Sequence, residues 1–84
     1  MATVEVYAKT TCPYCIRAED LLRRKGIAAT VYNLDGGWPR RDEMIKRAGR
    51  MTVPQIFIDG RHVGGCDDLF DLERAGKLDP MLAA

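Results

Sequence analysis

Two cysteines two residues apart, in "KTTCPYCIRAEDLL" (residues 9–22), are the first side chains equipped for chemistry. A Cys-x-x-Cys pair serves as a staple, as a metal clip, or as a redox centre that opens and closes in turnover. As a staple it is poor. On the loop-entropy model a disulfide closing about four residues contributes only ~2 kcal/mol, against ~4.7 kcal/mol for a loop of about 100. A metal clip needs further ligands, and His62 and Cys66 complete a formal Cys₃His set with Cys12 and Cys15. Against that set, His62 follows the Asp59-Gly60 turn, which the predicted topology puts at the far end of a hairpin from Cys12. Pro13 also removes a backbone donor that a thiolate knuckle would use. Redox chemistry fits the placement best. Cys12 falls where a helix starts, so unpaired N–H groups and the helix dipole favour an anion there. Cys15 lies one turn later on the same face, within disulfide reach. Lys9 adds a nearby cation. A thiolate is the nucleophile in disulfide exchange, so these features activate Cys12 and not Cys15.

Composition narrows the setting. Eighty-four residues, 46% of them hydrophobic, predict one domain (1–84) around a single core. Thirteen basic and twelve acidic side chains leave a formal charge of +1, which argues against a nucleic-acid or membrane partner. The opening "MATVEVYAKTTC" has no apolar run of signal-peptide length, and no stretch has the length and apolarity of a membrane span. A cytoplasmic location is expected, where thiols are mostly kept reduced. Three cysteines are an odd number, unlike the even set of a secreted disulfide scaffold.

The elements that must position Cys12 and Cys15 follow from periodicity and punctuation. "TVEVYA" (3–8) alternates and reads as a strand. Residues 13–25 read as a helix, with Thr11 or Cys12 at the cap, Pro13 in the first turn and Gly26 at the stop. Cys15, Ala18, Leu21 and Leu22 form its inward stripe. "AATVYNLD" (28–35) is a second strand. Trp38-Pro39 opens a charged helix over about 39–48, with Met44, Ile45 and Ala48 inside and Gly49 at its end. "PQIFIDGRHVGG" reads as a hairpin around Asp59-Gly60. A last helix starts near Asp67, packs Leu69, Phe70 and Leu72, and stops at Gly76. "LDPMLAA" is expected as a short terminal turn. The order β-α-β-α-β-β-α, with a parallel first pair and an antiparallel hairpin, predicts an α/β thioredoxin-like fold with a four-stranded mixed sheet flanked by helices.

"TTCPYC", "MTVPQIFIDG" and "GGCDDL", at these spacings, make the whole chain resemble a small bacterial dithiol glutaredoxin. A thioredoxin would carry Cys-Gly-Pro-Cys and lack the Gly-Gly-x-Asp element, and a monothiol cluster-carrying glutaredoxin typically has Cys-Gly-Phe-Ser. The resemblance implies a glutathione-dependent thiol–disulfide oxidoreductase with glutathione as co-substrate and no metal. Cys12 would attack the mixed disulfide between glutathione and a protein. Cys15 would resolve Cys12 when the substrate is a protein disulfide, such as that of ribonucleotide reductase. Glutathione, recycled by glutathione reductase, would regenerate a monomeric enzyme. The resemblance also implies the ligand set. Lys9 and Arg41 would face the glycine carboxylate. The Thr52-Val53-Pro54 stretch would pair Val53 with the cysteinyl unit as an added strand. Gly65 would permit close backbone approach, the N–H groups of Cys66 and Asp67 would bind the γ-glutamyl carboxylate, and the Asp67 side chain would take the ammonium. Tyr14 would flank the sulfurs. It further implies a cis Val53–Pro54 bond, whereas most X–Pro bonds are trans.

Each position has a plainer reading. Lys9 and Arg41 would serve as solvated charges, with Arg40 and Arg50 close by in sequence. Tyr14 would serve as packing, Asp67 as an ordinary helix cap, and Asp68 as a first-turn acid only. Cys66 would be a passive thiol that offers its amide, and His62 a partly exposed strand residue. Two features depart from the family pattern. Trp38, in "DGGWPRR", either covers the second helix or shapes the rim of the site. Met51 occupies a position that is commonly basic in the family, with Arg50 adjacent. The alternative function is a non-catalytic zinc- or iron–sulfur-binding protein. Pro13 speaks against the cluster, because cluster-carrying members usually have Gly or Ser there.

Overall fold

Side-chain alternation along two neighbouring strands sorts the core into two layers. In the computed structural model, which describes residues 2–36 and 39–83, strand β1 (Val4–Ala8) buries Val4, Val6 and Ala8 on one face and Tyr7 on the other. Strand β3 (Gln55–Ile58) sends Ile56 and Ile58 to the first face and Phe57 to the second. Successive strand side chains point to opposite faces, so each central strand feeds both layers. The first layer is completed by helices α1 (Pro13–Arg24), α3 (Cys66–Arg74) and α4 (Leu78–Ala83), through Cys15, Ala18, Leu21, Leu22, Cys66, Leu69, Leu78 and Leu82. The second is closed by Met44 of helix α2 (Arg40–Ala48) and by Leu34.

The sheet order is β2-β1-β3-β4, with β2 at Thr30–Asn33 and β4 at Arg61–Gly64. β1 pairs with β2 in parallel (Val6 opposite Val31) and with β3 antiparallel (Val6 opposite Ile56). β3 and β4 form the antiparallel hairpin, with a register shift between Ile56 and Phe57. This is the predicted four-stranded mixed sheet with helices on both faces.

Three expectations need correction. The terminal "LDPMLAA" turn is helix α4. Leu78 and Leu82, one turn apart, are both buried, and Pro80 falls in the first turn, where its missing N–H has no helical partner to lose. The second strand covers only 30–33, the stretch held in register with β1. The last helix begins at Cys66, one residue earlier than expected. Trp38 lies outside the described residues. Among the described residues no helix is long and apolar enough to cross a membrane.

A network of charge and aromatic rings fastens α2 to the sheet. Arg47 lies over the Phe57 ring at 4.0 Å, bonds the Tyr7 hydroxyl at 3.0 Å and reaches both Glu5 carboxylate oxygens at 3.0 and 3.1 Å. Tyr7 in turn donates to Glu43. The Arg47 guanidinium and the Tyr32 hydroxyl hold the Glu5 carboxyl below its ordinary range.

Candidate active site

α1 begins with a sulfur in place of the usual hydroxyl or carboxylate cap. Cys12 is the N-cap, with extended backbone (φ −103°, ψ 108°), and its Sγ accepts the Cys15 N–H at 3.2 Å. That bond directs an otherwise orphaned helix-terminal donor at the sulfur and favours negative charge there. The Cys12 thiol also contacts the Val53 carbonyl at 3.8 Å. Upstream, Asp35 anchors the turn that delivers Cys12. It accepts the Thr10 N–H at 3.1 Å and the Thr10 hydroxyl, and Asn33 donates to that hydroxyl at 3.0 Å. The two Thr10 bonds hold the Asp35 carboxyl below its usual range.

The two cysteines of the pair sit in opposite environments. Cys12 is partly exposed, whereas Cys15 is completely buried in the core. Burial pushes the Cys15 thiol up to about 12, and its hydrogen bond and charge interaction with Cys12 act in the same direction. At neutral pH Cys15 is therefore held as a thiol.

Beside Cys12 opens a cleft of about 150 Å³. It is lined by Tyr14, by Arg50 and Thr52-Val53-Pro54, and by Gly65 through Asp68 at the start of α3. The Val53–Pro54 bond is cis, as the resemblance implied. Seven of the predicted ligand residues thus converge: Tyr14, Thr52, Val53, Pro54, Gly65, Cys66 and Asp67. Lys9 and Arg41 are not part of this lining. Lys9 is exposed next to the Thr10 turn, and Arg41 is half-buried in the first turn of α2. Arg40 stacks over Tyr32 at 4.4 Å and pairs with Glu43 at 3.0 Å.

Two lining residues were given no ligand role by sequence reasoning. Asp68 is more than a first-turn acid, because its carboxylate accepts the Gly65 N–H at 2.8 Å and so caps α3 in the place expected of Asp67. The same oxygen takes Arg50 at 3.1 Å, which fixes a cation on the cleft wall. The Gly65 N–H, then Arg50, hold the Asp68 carboxyl below its usual range. Gly-x-x-Asp is the spacing of the reciprocal half of a capping box, a signal present in "GGCDDL". Gly64 is required beside it. Its φ is +122°, and an added Cβ would collide with the Asp68 carboxylate.

Cys66 is buried at the start of α3, and burial raises its thiol. His62 is a partly exposed residue of β4, as the plainer reading had it, and its ring Nε2 lies 2.7 Å from the Gln55 Oε1. Among the described residues no group of three or more His, Cys, Asp or Glu side chains is arranged to hold a metal.

Comparison with known proteins agrees with this geometry. The glutaredoxin family model matches residues 4–63. Glutaredoxin 3 of Escherichia coli (strain K12) is 58% identical over 82 residues, covering 98% of this chain and 99% of that protein. A glutaredoxin of Pseudomonas aeruginosa is 54% identical over 84 residues and the full length of both. Among solved structures, the buckwheat glutaredoxin–glutathione complex superposes with a TM-score of 0.89 at 35% identity, over 98% of this chain and 77% of that one. The solution structure of glutaredoxin from Brucella melitensis has a TM-score of 0.84 at 50% identity, over 98% and 89%. The chain belongs to the glutaredoxin family and is a glutathione-dependent thiol–disulfide oxidoreductase.

Proposed function

We propose that Cys12 is the attacking thiolate, that Cys15 is the resolving thiol, and that the cleft between Thr52-Val53 and the start of α3 holds the glutathionyl group. In the monothiol route the Cys12 thiolate attacks the glutathione sulfur of a glutathionylated protein. The old S–S bond breaks, the protein sulfur leaves and takes a proton, and Cys12 carries glutathione. A second glutathione thiolate then attacks that glutathione sulfur, which returns the Cys12 thiolate and releases glutathione disulfide.

In the dithiol route Cys12 attacks a protein disulfide, such as that of ribonucleotide reductase, and forms a mixed disulfide with the protein. The Cys15 thiol loses its proton and attacks Cys12, the protein leaves reduced, and two glutathiones reduce the Cys12–Cys15 disulfide. Cys15 becomes easier to ionise at this point. Once the Cys12 sulfur is bound in a mixed disulfide it is neutral and no longer a thiol, so the hydrogen bond and charge interaction with Cys12 that raise Cys15 are removed. Burial, the largest of the influences on Cys15, persists.

Glutathione brings two carboxylates and an ammonium. The first N–H groups of α3 suit one carboxylate, and the exposed Asp67 suits the ammonium. The Val53 backbone edge suits the cysteinyl amide. Lys9, Arg41 and the Asp68-anchored Arg50 supply cations for the second carboxylate. The protein works as a single-domain monomer in a reducing, cytoplasmic setting, with glutathione reductase coupled to it through glutathione.

The observation that carries this reading is the capped Cys12 sulfur, 3.2 Å from the Cys15 N–H and beside the cleft. A coupled assay with a small glutathione mixed disulfide, glutathione, glutathione reductase and NADPH tests it. NADPH oxidation that depends on the protein and saturates with the mixed disulfide is expected. No acceleration over the uncatalysed exchange would overturn the assignment.

A further inference from the structure

Gln55 opens a strand whose four residues are all buried, a setting that favours apolar side chains. Among the described residues it is the one buried amide or charged side chain, with no exposure at all. Burying an amide is costly unless every donor and acceptor is used. Gln55 uses them all. Its Nε2 donates to the Thr52 carbonyl at 3.0 Å and to the Thr52 hydroxyl oxygen at 3.2 Å, while its Oε1 meets the His62 Nε2 at 2.7 Å. A carbonyl oxygen only accepts, so the amide orientation is forced: turning it over would set two acceptors against each other. Oε1 is then also only an acceptor, and His62 must carry its proton on Nε2.

From this geometry we infer that Gln55 is a positioning residue for glutathione, clamping the Thr52–Val53 edge against the cleft, and that His62 orients the clamp from the neighbouring strand. The chain of contacts runs from His62 on β4, through Gln55 on β3, to Thr52, whose neighbour Val53 presents its carbonyl to Cys12. The His62 ring is held in turn by packing on Phe57, with centroids 5.1 Å apart. Partial burial pushes the His62 imidazole below its ordinary range, so the neutral Nε2–H tautomer performs this role at pH 7.5. The inference rests on the reading that the Thr52–Val53 edge binds the glutathionyl group.

Gln55→Met keeps side-chain length and removes both donors to Thr52. His62→Phe keeps a ring on Phe57 and removes the N–H that meets Gln55 Oε1, and thermal melting of each variant checks that the fold is kept. Deglutathionylation of a glutathionylated peptide should show KM raised about tenfold in Gln55→Met and about threefold in His62→Phe, with kcat within twofold. Alkylation of Cys12 by iodoacetamide should stay at the wild-type rate in both, because the nucleophile is untouched. The double variant should be no worse than Gln55→Met alone, since the two side chains act along one path. Imidazole ¹⁵N spectra of the wild type at pH 7.5 should show His62 as the Nε2–H tautomer. Unchanged KM in both variants, a matching fall in kcat and alkylation, additive effects, or an Nδ1–H tautomer would each overturn the inference while wild-type activity upholds the site itself. An inactive wild type would overturn both.

Discussion

The N-termini of α1 and α3 both border the cleft beside Cys12, and each carries a cysteine, yet they are built differently. At α1 the cysteine is the cap itself, one residue outside the helix. Its Sγ receives the Cys15 N–H and stays partly exposed. At α3 the cysteine is the first helical residue, so its side chain turns back into the core and is 5% exposed. The cap there is Gly65, which has no side chain to offer, and the Asp68 carboxylate is spent sideways on the Gly65 N–H and Arg50. One helix end is aimed at its own sulfur. The other is left open to an anion from outside. A shift of one position relative to the helix start separates a capping, partly exposed sulfur from a buried one, the difference on which the proposed roles of nucleophile and binding platform rest.

The largest expected effect breaks the first half of that contrast. Cys12→Ser leaves an oxygen cap able to accept the Cys15 N–H, so α1 should fold, but the thiolate is gone. Reduction of a glutathionylated peptide and of a protein disulfide should both fall to background. Residual turnover of either above the uncatalysed rate would move the nucleophile elsewhere.

Next comes a split between the two reactions. Cys15→Ser should keep or raise deglutathionylation, because in the proposed monothiol cycle Cys15 takes no part and competes by closing a disulfide with Cys12. The same variant should lose most protein-disulfide reduction, for which the resolving thiol must already be in reach. Rates for both substrates, on protein whose folding is checked by thermal melting, decide it. Equal loss of both would show that Cys15 supports Cys12 rather than resolving it.

Much of this was legible in the sequence because it rests on local rules. Pro13 in the first turn and the stripe Cys15, Ala18, Leu21, Leu22 specify α1 and its buried face. Asp59-Gly60 specifies the hairpin, and the alternation in "TVEVYA" specifies β1. What was missed depends on contacts between distant segments. The sequence spacing of Gly65 and Asp68 carries half of the capping device, but only the fold brings Arg50, eighteen residues upstream, onto the same carboxylate. The terminal helix was missed because Pro80 reads as a breaker unless Leu78 is already known to start the helix.

A smaller effect tests the α3 end. Asp68→Ala removes the acceptor for the Gly65 N–H and frees Arg50, so stability should drop by ~1 kcal/mol, the usual cost of a lost cap. KM for the glutathionylated peptide should rise several-fold, with alkylation of Cys12 unchanged. The pH dependence has a definite sign. The folded carboxyl lies below its ordinary range, so its contribution is complete above that range and is lost as pH falls through the folded value. Acid titration of wild type and Asp68→Ala should therefore give melting temperatures that converge below the ordinary aspartate range. Curves that stay parallel into strong acid would mean the carboxylate does not cap α3.

The smallest expected effect concerns the third cysteine. If position relative to the helix start is what distinguishes Cys12 from Cys66, then Cys66 needs no sulfur for either reaction. It lines the cleft as the first residue of α3, where the backbone N–H has no helical partner whatever the side chain, and its thiol is raised by burial, away from the reactive form. Cys66→Ala adds no polar group to the core and removes one buried atom, which should cost ~1 kcal/mol or less. Both reduction rates should stay within twofold of wild type, and iodoacetamide should label the folded wild-type protein at Cys12 well before Cys66. A large loss of either activity, with the fold intact, would give the Cys66 sulfur a chemical role. The two helix ends would then differ in degree and not in kind.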